Sequence, residues 1–442
     1  VAPSNRLQLG VIGTNQGGFN WVRCNFPDVI TVGVCDVDAG RRGSLTAGAN
    51  HRHGGRVATG YADFREMFAR AALDAVIIAT PDHWHAPMAV AAARAGIAGI
   101  WGEKPLAHTL REGRAVVRAV NEHGTVWQTG SWQRSLPNFR RAVELVRAGV
   151  IGKVRRIEVV LHGYNFLDDV KAGEARGIGG ERGKPPASLD YERWLGPAPW
   201  REYVPGVIHG NWRFCGDYGG GYLLDWIGHH FDIAQWGAGK DAEGPVRVAG
   251  SGVFEDGGRA RGVEHYDAIR SYDFDCEYAD GLVINVRGLP ARRGHGMCGV
   301  TFRGENGRWI WCERGVPNRA SHPEILTTNL GENASNTAGT TGTGSAQSAA
   351  SSSFNLHPST FPTGVYHSDN HWRNWLDCIK TRRTDTAAPA EAGHRSASAG
   401  HLGIAAMLTG RALRFDPVAE RVLDDPAADA LLSPTFRDGW GI

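Results

Sequence analysis

The chain has 442 residues, enough for two or more domains around a large buried core. Its 48 Lys and Arg nearly balance 46 Asp and Glu, and no long run carries one sign, so we expect no nucleic-acid partner. No apolar stretch is long enough to span a bilayer, and we predict no membrane insertion.

Seven cysteines are scattered without a CxxC pair, which argues against a zinc ribbon or a thiol redox motif. The 15 tryptophans and 60 glycines suit an aromatic sugar-binding cleft, although Trp is just as often found in cores. The sequence begins at Val1 rather than Met. Removal of an export signal would explain this, as would other trimming, so a periplasmic or exported location is slightly favoured and a cytoplasmic one stays open.

The first predicted strand is the apolar run at 7–13, and a helix follows to about Asn25. Gly13, Asn15 and Gly18 between them have the spacing of a dinucleotide-binding fingerprint in which Asn replaces the middle glycine. Glycine there lets the backbone approach a pyrophosphate at the helix N-terminus. Asn tolerates left-handed backbone angles, so the turn can form while its phosphate contact changes.

The second predicted strand, 31–36, ends in Asp36, roughly 20 residues past the glycines, where a ribose-binding carboxylate belongs. A carboxylate at this point accepts hydrogen bonds from both ribose hydroxyls and repels a 2′-phosphate, which favours NAD. Arg41 and Arg42 could accommodate that phosphate, so NADP is the less favoured alternative. A strand-end Asp that only caps the next turn is the structural alternative.

Two more strands are predicted at 74–80 and 99–102, and the alternation of strands with helices predicts a doubly wound parallel sheet. Ligands bind beyond the carboxyl ends of the strands in such sheets. The residues expected to line this cleft beside the cofactor are Thr80, Pro81, His85, Glu103 and Lys104. A Lys beside a nicotinamide could position or protonate a substrate oxygen, whereas a surface Lys before a helix-initiating Pro is the alternative.

The second half begins after a last nucleotide-domain strand at 125–130. Strand-like alternation predicts a largely antiparallel open sheet with strands at 154–163, 246–254, 268–278, 281–288, 297–303 and 308–312. Helices are predicted at 137–148, 367–380 and 392–408, the last two packed against the nucleotide domain. Residues 164–220 are expected to form loops over the cleft.

The predicted domains are an NAD-binding domain at 1–130, a substrate-binding and oligomerisation domain at 131–416, and an extended tail at 417–442. Within the second domain, the Thr-, Ser- and Gly-rich tract 327–353 is expected to be a surface loop.

Asp225 and His229 stand four residues apart, ahead of an amphipathic run through Trp236. A helix places them one turn apart on one face, where a carboxylate can orient an imidazole and raise its basicity. A satisfied core histidine is the plain alternative. Zinc is another, but no third ligand stands at suitable spacing, so we predict no metal.

Four further residues are weaker candidates for contact with a substrate. Arg134, Trp212 and Arg213 lie in segments expected to face the cleft, although surface ion pairing explains an Arg equally well. His230 points about 100° away from His229 on a helix, which fits a substrate or packing role better than a base.

The motifs together resemble those of the Gfo/Idh/MocA oxidoreductase family over about residues 7–415. They are Gly10-x-x-Gly13-x-Asn15-x-x-Gly18, Asp36, Thr80-Pro81-x-x-x-His85, Glu103-Lys104-Pro105 and Asp225-x-x-x-His229, in that order. The resemblance implies an α/β fold, with an N-terminal Rossmann sheet and a C-terminal α/β domain whose outer sheet face often forms the oligomer interface. It also implies NAD, a carbohydrate substrate and a homo-oligomer, either a dimer or a tetramer.

The favoured function is NAD-dependent oxidation of a secondary hydroxyl of a sugar or sugar derivative. His229 takes the hydroxyl proton, Asp225 orients His229, and Lys104 hydrogen-bonds the reacting oxygen while hydride passes to the nicotinamide. The resemblance implies these three roles.

The alternative is redox-neutral glycoside hydrolysis, in which oxidation of a ring hydroxyl permits elimination of the aglycone, and hydration and re-reduction follow with NAD retained. A non-catalytic NAD- or sugar-binding protein would lack the base or the Lys, and neither is missing.

Overall fold

The first sheet of the protein is built from the N-terminal third of the chain. The computed structural model describes residues 5–162, 183–254, 267–289, 298–330 and 364–441. The strands of the first sheet are β1 (Leu7–Ile12), β2 (Val29–Cys35), β3 (Thr59–Tyr61), β4 (Ala75–Ile78), β5 (Gly99–Gly102) and β6 (Val126–Thr129). All neighbours pair in parallel in the order β3-β2-β1-β4-β5-β6, which confirms the predicted doubly wound sheet.

Five α-helices lie between these strands, three of them with a polar side-chain cap. They are α1 (Thr14–Arg23), α2 (Ala39–His53), α3 (Phe64–Arg70), α4 (His85–Arg94) and α5 (Leu110–Glu122). Asp38 accepts hydrogen bonds from backbone N–H groups of the first turn of α2, Asp63 does so for α3, and Thr109 for α5. Each cap satisfies donors that have no partner within the helix, and so fixes where the connection leaves the strand.

The second sheet has nine strands in the order β13-β12-β11-β7-β10-β9-β8-β14-β15. The strands are β7 (Val154–His162), β8 (Arg247–Phe254), β9 (Ile269–Glu277), β10 (Val283–Leu289), β11 (Gly299–Gly304), β12 (Trp309–Cys312), β13 (Arg319–Ala320), β14 (Leu413–Asp416) and β15 (Arg421–Leu423). Among the described strand pairs of this sheet, only β7 and β10 are parallel, so the prediction of a mostly antiparallel sheet is confirmed.

The second half of the chain adds eight α-helices within the described residues. They are α6 (Pro137–Arg147), α7 (Tyr191–Leu195), α8 (Pro205–Ile208), α9 (Gly221–Ala238), α10 (Glu324–Thr327), α11 (His371–Thr381), α12 (Ala390–Thr409) and α13 (Pro426–Ala430). Helix α9 packs against β7, α6 and α12, and its residues Leu223, Ile227 and Phe231 are fully buried in the core. The helix ends at Gly239, whose φ of 73° is a left-handed conformation that suits glycine.

Two helices from late in the chain join the halves of the molecule. Helix α11 packs on β5 and β6, where Trp375 and Ile379 are buried against the parallel sheet. Gly99 in β5 makes room for it, since a Cβ there would lie 2.2 Å from Cδ1 of Ile379. Helix α12 lies between α5 on one side and α9 with β8 on the other.

The segment at 417–442 differs from the predicted extended tail. It contains β15, which pairs with β14 at the edge of the sheet, and α13. Val422, Ala428 and Leu432 anchor the segment, because their side chains are buried in the core of the second half. Residues 331–353 of the predicted surface loop and 164–182 of the predicted cleft loops lie outside the described residues. Within the described ranges, the helices are too short or too polar to cross a bilayer.

Candidate active site

A cavity of about 330 Å³ lies at the carboxyl edge of the parallel sheet and is closed from the other side by α9. Its wall runs from Asp36, which follows β2, to His229 on α9. The predicted residues that line it are Gly13, Asn15, Asp36, Thr80, Pro81, His85, Glu103, Lys104, Trp212, Arg213, Asp225 and His229. The structure therefore brings most of the predicted site together.

The turn after β1 requires glycine at its first position. Gly13 has a φ of 80°, and a Cβ there would lie 2.4 Å from the carbonyl oxygen of Ala79. Thr14 and Asn15 follow at the start of α1 and line the cavity. Backbone N–H groups at such a helix N-terminus favour a phosphate, so the turn fits a pyrophosphate.

The structure corrects the prediction for Gly18, the third glycine of the fingerprint. Gly18 does not line the cavity, and a Cβ there would meet nothing within 4 Å. Gly17 takes the packing role instead, because a Cβ on it would lie 3.0 Å from Cγ1 of Val11. Since α1 begins at Thr14, residue 17 is the one that faces β1.

Asp36 is held in place by the glycine turn. Its Oδ2 accepts hydrogen bonds from the backbone N–H of Thr14 at 2.9 Å and from the Thr14 hydroxyl at 2.8 Å, and its Oδ1 accepts one from the backbone N–H of Asp38. Arg42 donates to the backbone carbonyl of Asp36, while Arg41 lines the cavity. The carboxylate thus stands where a ribose would be bound.

His85 and Glu103 shape the floor of the cavity. Nδ1 of His85 lies 2.7 Å from the carbonyl oxygen of Pro105, and its Nε2 lies 3.0 Å from that of Thr80. Burial lowers the pKa of His85 to about 4, while the carbonyl oxygens of Pro105 and Thr80 raise it. Glu103 Oε1 accepts hydrogen bonds from Asn20 on α1 and from Trp101.

Lys104, Asp225 and Arg213 form an ionic cluster in the cavity wall. Lys104 Nζ donates to Oδ1 and to the backbone carbonyl of Asp225, both at 2.7 Å, and Arg213 Nε donates to the same Oδ1 at 3.1 Å. Burial opposes ionisation of Asp225, but the charges of Lys104 and Arg213 outweigh it and hold the pKa of the carboxyl well below its usual range. Gly228 permits the approach, since a Cβ there would lie 2.8 Å from Cβ of Lys104.

The predicted pairing of Asp225 with His229 is therefore wrong. The carboxylate is bound by Lys104 and Arg213, whereas Nδ1 of His229 is buried without a hydrogen-bond partner in the described part of the chain. The ring of His229 packs edge-on against Trp132 and Trp226. Burial, followed by the positive charge of Lys104, holds the pKa of His229 well below its usual range, so the imidazole is neutral and can accept a proton.

Arg134 and His230 do not reach the cavity, which corrects two of the predicted substrate contacts. Arg134 is 2% exposed and forms ion pairs with Asp232 at 2.7 Å and Asp241 at 2.8 Å. His230 is completely buried on another face of α9, with Nε2 3.2 Å from Glu313. Each side chain satisfies a buried carboxylate outside the cavity.

Sequence reasoning missed several residues of the wall, among them Asp82, Trp132, Arg314 and Trp440. The guanidinium of Arg314 lies 4.4 Å from the ring centroid of Trp132, and its Nε and Nη2 are buried without a hydrogen-bond partner among the described residues. Asp82 is 5% exposed, and burial raises the pKa of its carboxyl to about 8. Its position after β4 was a usable signal, but nothing in the sequence marks Arg314 or Trp440.

A parallel doubly wound sheet with a glycine turn after β1 and an acid after β2 defines a dinucleotide-binding α/β protein. A family model described as "Oxidoreductase family, NAD-binding Rossmann fold" matches residues 7–131. A second model, described as "Oxidoreductase family, C-terminal alpha/beta domain", matches residues 140–296 and 360–442. The chain belongs to the Gfo/Idh/MocA oxidoreductase family. Its Rossmann domain is NAD-binding, and the turn at Gly13 with the Asp36 carboxylate fits that cofactor.

Inositol 2-dehydrogenase of Rubrobacter xylanophilus is 30% identical over 174 residues, which are 38% of this chain and 47% of the relative. A glycosyl hydrolase family 109 protein of Stenotrophomonas maltophilia is 28% identical over 209 residues, which are 46% of this chain and 43% of the relative. The chain thus spans less than half the length of these curated relatives.

Among solved structures, the WlbA dehydrogenase from Bordetella pertussis, in complex with NADH and UDP-GlcNAcA, has a TM-score of 0.62 at 14% identity. The match covers 93% of this chain and 99% of that chain, and it shows the shared fold.

Within the described ranges, no group of three or more His, Cys, Asp or Glu side chains is arranged to hold a metal ion.

Proposed function

We propose that this protein is an NAD-dependent oxidoreductase that acts on a secondary hydroxyl of a sugar or sugar derivative. The observation that carries the proposal is that neutral His229 and the Lys104–Asp225 pair share one cavity with the nucleotide-binding edge of the sheet. Inositol and levoglucosan dehydrogenases among the relatives support a polyol or sugar as the substrate.

Bound NAD supplies the hydride acceptor. His229 takes the proton of the substrate hydroxyl, because its imidazole is neutral and lines the cavity. Lys104 donates a hydrogen bond to the reacting oxygen and stabilises the negative charge that develops there. The carboxylate of Asp225 positions the Lys104 ammonium, and Arg213 donates to the same carboxylate oxygen.

The aromatic part of the wall fits a sugar ring. Trp132 and Trp212 offer flat apolar surfaces, and Arg314 offers N–H donors that no group in the described ranges of the chain uses. A sugar presents both apolar C–H faces and hydroxyl acceptors, so this combination binds and orients it.

The test is a panel of polyols, aldoses and glycosides incubated with NAD, with NADH formation followed by absorbance. We expect turnover on at least one carbohydrate, lost in His229→Ala and in Lys104→Met while NAD binding by fluorescence titration persists. Full turnover in both variants would refute the assignment.

A second function, redox-neutral glycoside hydrolysis, is favoured by Asp82. Once the ring hydroxyl is oxidised, a base removes the neighbouring C–H proton and the C–O bond to the aglycone breaks, so the leaving oxygen needs a proton. The carboxyl of Asp82, whose pKa is about 8, carries a proton at neutral pH and lies in the same cavity. Water then adds to the alkene and the ketone is reduced back, so no net oxidation occurs. A family 109 glycosyl hydrolase among the relatives supports this reaction class.

Incubation with aryl glycosides, once without and once with added NAD, separates the two functions. Aglycone release without added NAD and without accumulation of NADH supports hydrolysis, and accumulation of NADH only with added NAD, without aglycone, supports the dehydrogenase. Under hydrolysis, Asp82→Asn should abolish aglycone release and leave oxidation of the free sugar intact.

We also propose a homo-oligomer, a dimer or tetramer formed through the outer face of the nine-stranded sheet. Helices α9 and α12 cover the inner face, while the outer face presents polar side chains such as the Arg156–Asp275 pair at 3.3 Å. Sedimentation velocity tests this, and a monomeric mass across micromolar concentrations would contradict it.

A further inference from the structure

The segment after α13, residues 432–441, returns to the parallel sheet and is anchored beside the cavity. The backbone N–H of Arg437 donates to the carbonyl oxygen of Pro197 at 3.0 Å. Its guanidinium donates to the carbonyl oxygen of Gly196 through Nε at 3.0 Å and Nη2 at 2.8 Å, and pairs with Glu192 at 2.9 Å. Four contacts from one residue fix this segment against the loop after α7.

This anchor places Trp440 in the cavity wall. Its indole ring packs edge-on against Trp84, with ring centroids 5.3 Å apart, and the guanidinium of Arg65 lies 4.8 Å from the ring centroid. Trp84 in turn packs against Phe64 at 5.8 Å. Trp440 therefore belongs to an aromatic group formed by Phe64 at the start of α3 and Trp84 in the turn between β4 and α4, and is half-buried there.

The strand order tells which part of a dinucleotide this group faces. Residues Phe64 and Arg65 follow β3, at one edge of the sheet, while Lys104 follows β5, four strands away. Neighbouring strands lie about 4.8 Å apart, so the two ends of the cavity are separated by roughly 19 Å. Asp36, the ribose-binding acid, follows β2 next to β3, so the adenosine half lies on the side of Trp440 and the nicotinamide half at Lys104.

We propose that Trp440 binds the adenine ring of NAD and that the segment 432–441 retains the cofactor through this contact. Adenine is a flat ring with an apolar face, and a Trp ring fixed by neighbouring aromatic and guanidinium groups is a preorganised surface for it. The contact comes from outside the Rossmann domain, so release of NAD requires the anchored segment to move. Retained NAD is what a redox-neutral cycle needs, and the inference holds for either function proposed above.

The test compares Trp440→Ala with the wild-type protein by titration with three probes: NAD, ADP-ribose and nicotinamide mononucleotide. We expect Trp440→Ala to weaken binding of NAD and of ADP-ribose by about 5- to 100-fold, the range for loss of one base–aromatic stack. Binding of nicotinamide mononucleotide, which has no adenine, should not change. Trp440→Phe should restore most of the affinity, since it returns an aromatic ring.

Trp200→Ala is the matched control, because Trp200 is 67% exposed and does not line the cavity. It should bind all three probes as the wild type does. Equal affinities of Trp440→Ala and wild type for ADP-ribose would overturn the proposal, as would an equal loss for nicotinamide mononucleotide. Unchanged ADP-ribose binding overturns this inference alone, whereas absence of turnover with normal NAD binding overturns the proposed function alone.

Discussion

Helix α9 carries two ionic clusters whose carboxylates, Asp225 and Asp232, are seven residues or about two helical turns apart. In the first, Asp225 binds Lys104 and Arg213; the side chains of Lys104 and Asp225 are 11% and 19% exposed and all three residues line the cavity. In the second, Asp232 binds Arg134, both are 2% exposed, and neither residue touches the cavity.

The difference teaches how to separate a reactive ionic group from a structural one. A buried ion pair with every donor and acceptor satisfied holds elements together, here α9 and the 3-10 helix at Trp132–Ser135. A pair at the wall of a cavity can exchange a protein partner for a substrate. The adjacent histidines repeat the contrast, since His230 lies against Glu313 and His229 lines the cavity.

The largest expected effect separates the two histidines. His229→Ala should lower kcat by roughly 10²- to 10⁴-fold, because the general base is lost, while the dissociation constant for NAD stays within a few-fold. His230→Gln should leave kcat nearly unchanged and lower the free energy of unfolding by about 1–3 kcal/mol. Steady-state kinetics and urea denaturation measure both. A larger loss of kcat in His230→Gln than in His229→Ala would reverse the assignment.

The next effect separates the two ionic clusters. Arg134→Met should lower the free energy of unfolding by about 3–5 kcal/mol, because Asp232 is left buried without its partner. Lys104→Met should instead lower kcat by roughly 10²- to 10³-fold with a smaller loss of stability, since Asp225 keeps Arg213. The comparison fails if Arg134→Met folds as stably as the wild type.

Replacement of Asp36, the predicted ribose-binding acid, should have an intermediate effect. Asp36→Ala removes a charged acceptor and the repulsion of a 2′-phosphate, so the affinity for NAD should fall by about 10- to 100-fold. The affinity for NADP should rise relative to NAD. Titration with both dinucleotides is the measurement, and an unchanged ratio would place the ribose away from Asp36. Gly18→Ala is a control that should leave both affinities unchanged, since a Cβ there meets open space.

The smallest expected effect concerns His371, a buried histidine. His371 lies 2.8 Å from the Ser135 hydroxyl and 2.9 Å from the carbonyl oxygen of Thr129, and burial lowers its pKa from 6.5 to about 3. Its folded pKa is below its unfolded pKa, so the unfolded chain binds more protons and stability is lost as the pH falls below 6.5. His371→Gln should reduce this slope by about 1.4 kcal/mol per pH unit between pH 6 and 4. Urea denaturation at several pH values measures it, and an unchanged slope would show that His371 is protonated when folded.

The sequence predicted the parallel sheet because its signals are local. An apolar strand, a glycine turn and an acid at the next strand end recur at spacings that the Rossmann geometry requires. Lys104 and His229 were also predicted, since each stands in a short motif whose order along the chain is diagnostic. The strands β14 and β15 escaped prediction because short edge strands carry little periodicity.

The sequence did not predict which side chains contact one another in the site. Asp225 and His229 have helical spacing, but Lys104 lies 121 residues before Asp225 and takes its carboxylate. Arg134 lies in a segment that was expected to face the cleft. Only the packing of α9 showed that it pairs with Asp232.

The sequence by itself determined the family, the cofactor, the two sheets and the places of His229 and Lys104 in the chain, because those depend on periodicity and on spacing within short segments. The tertiary structure alone decided which acid pairs with which cation, which histidine lies in the cavity, and that Arg314 and Trp440 reach it. Such contacts join residues distant along the chain, and their energies depend on burial and distance, which no local pattern records.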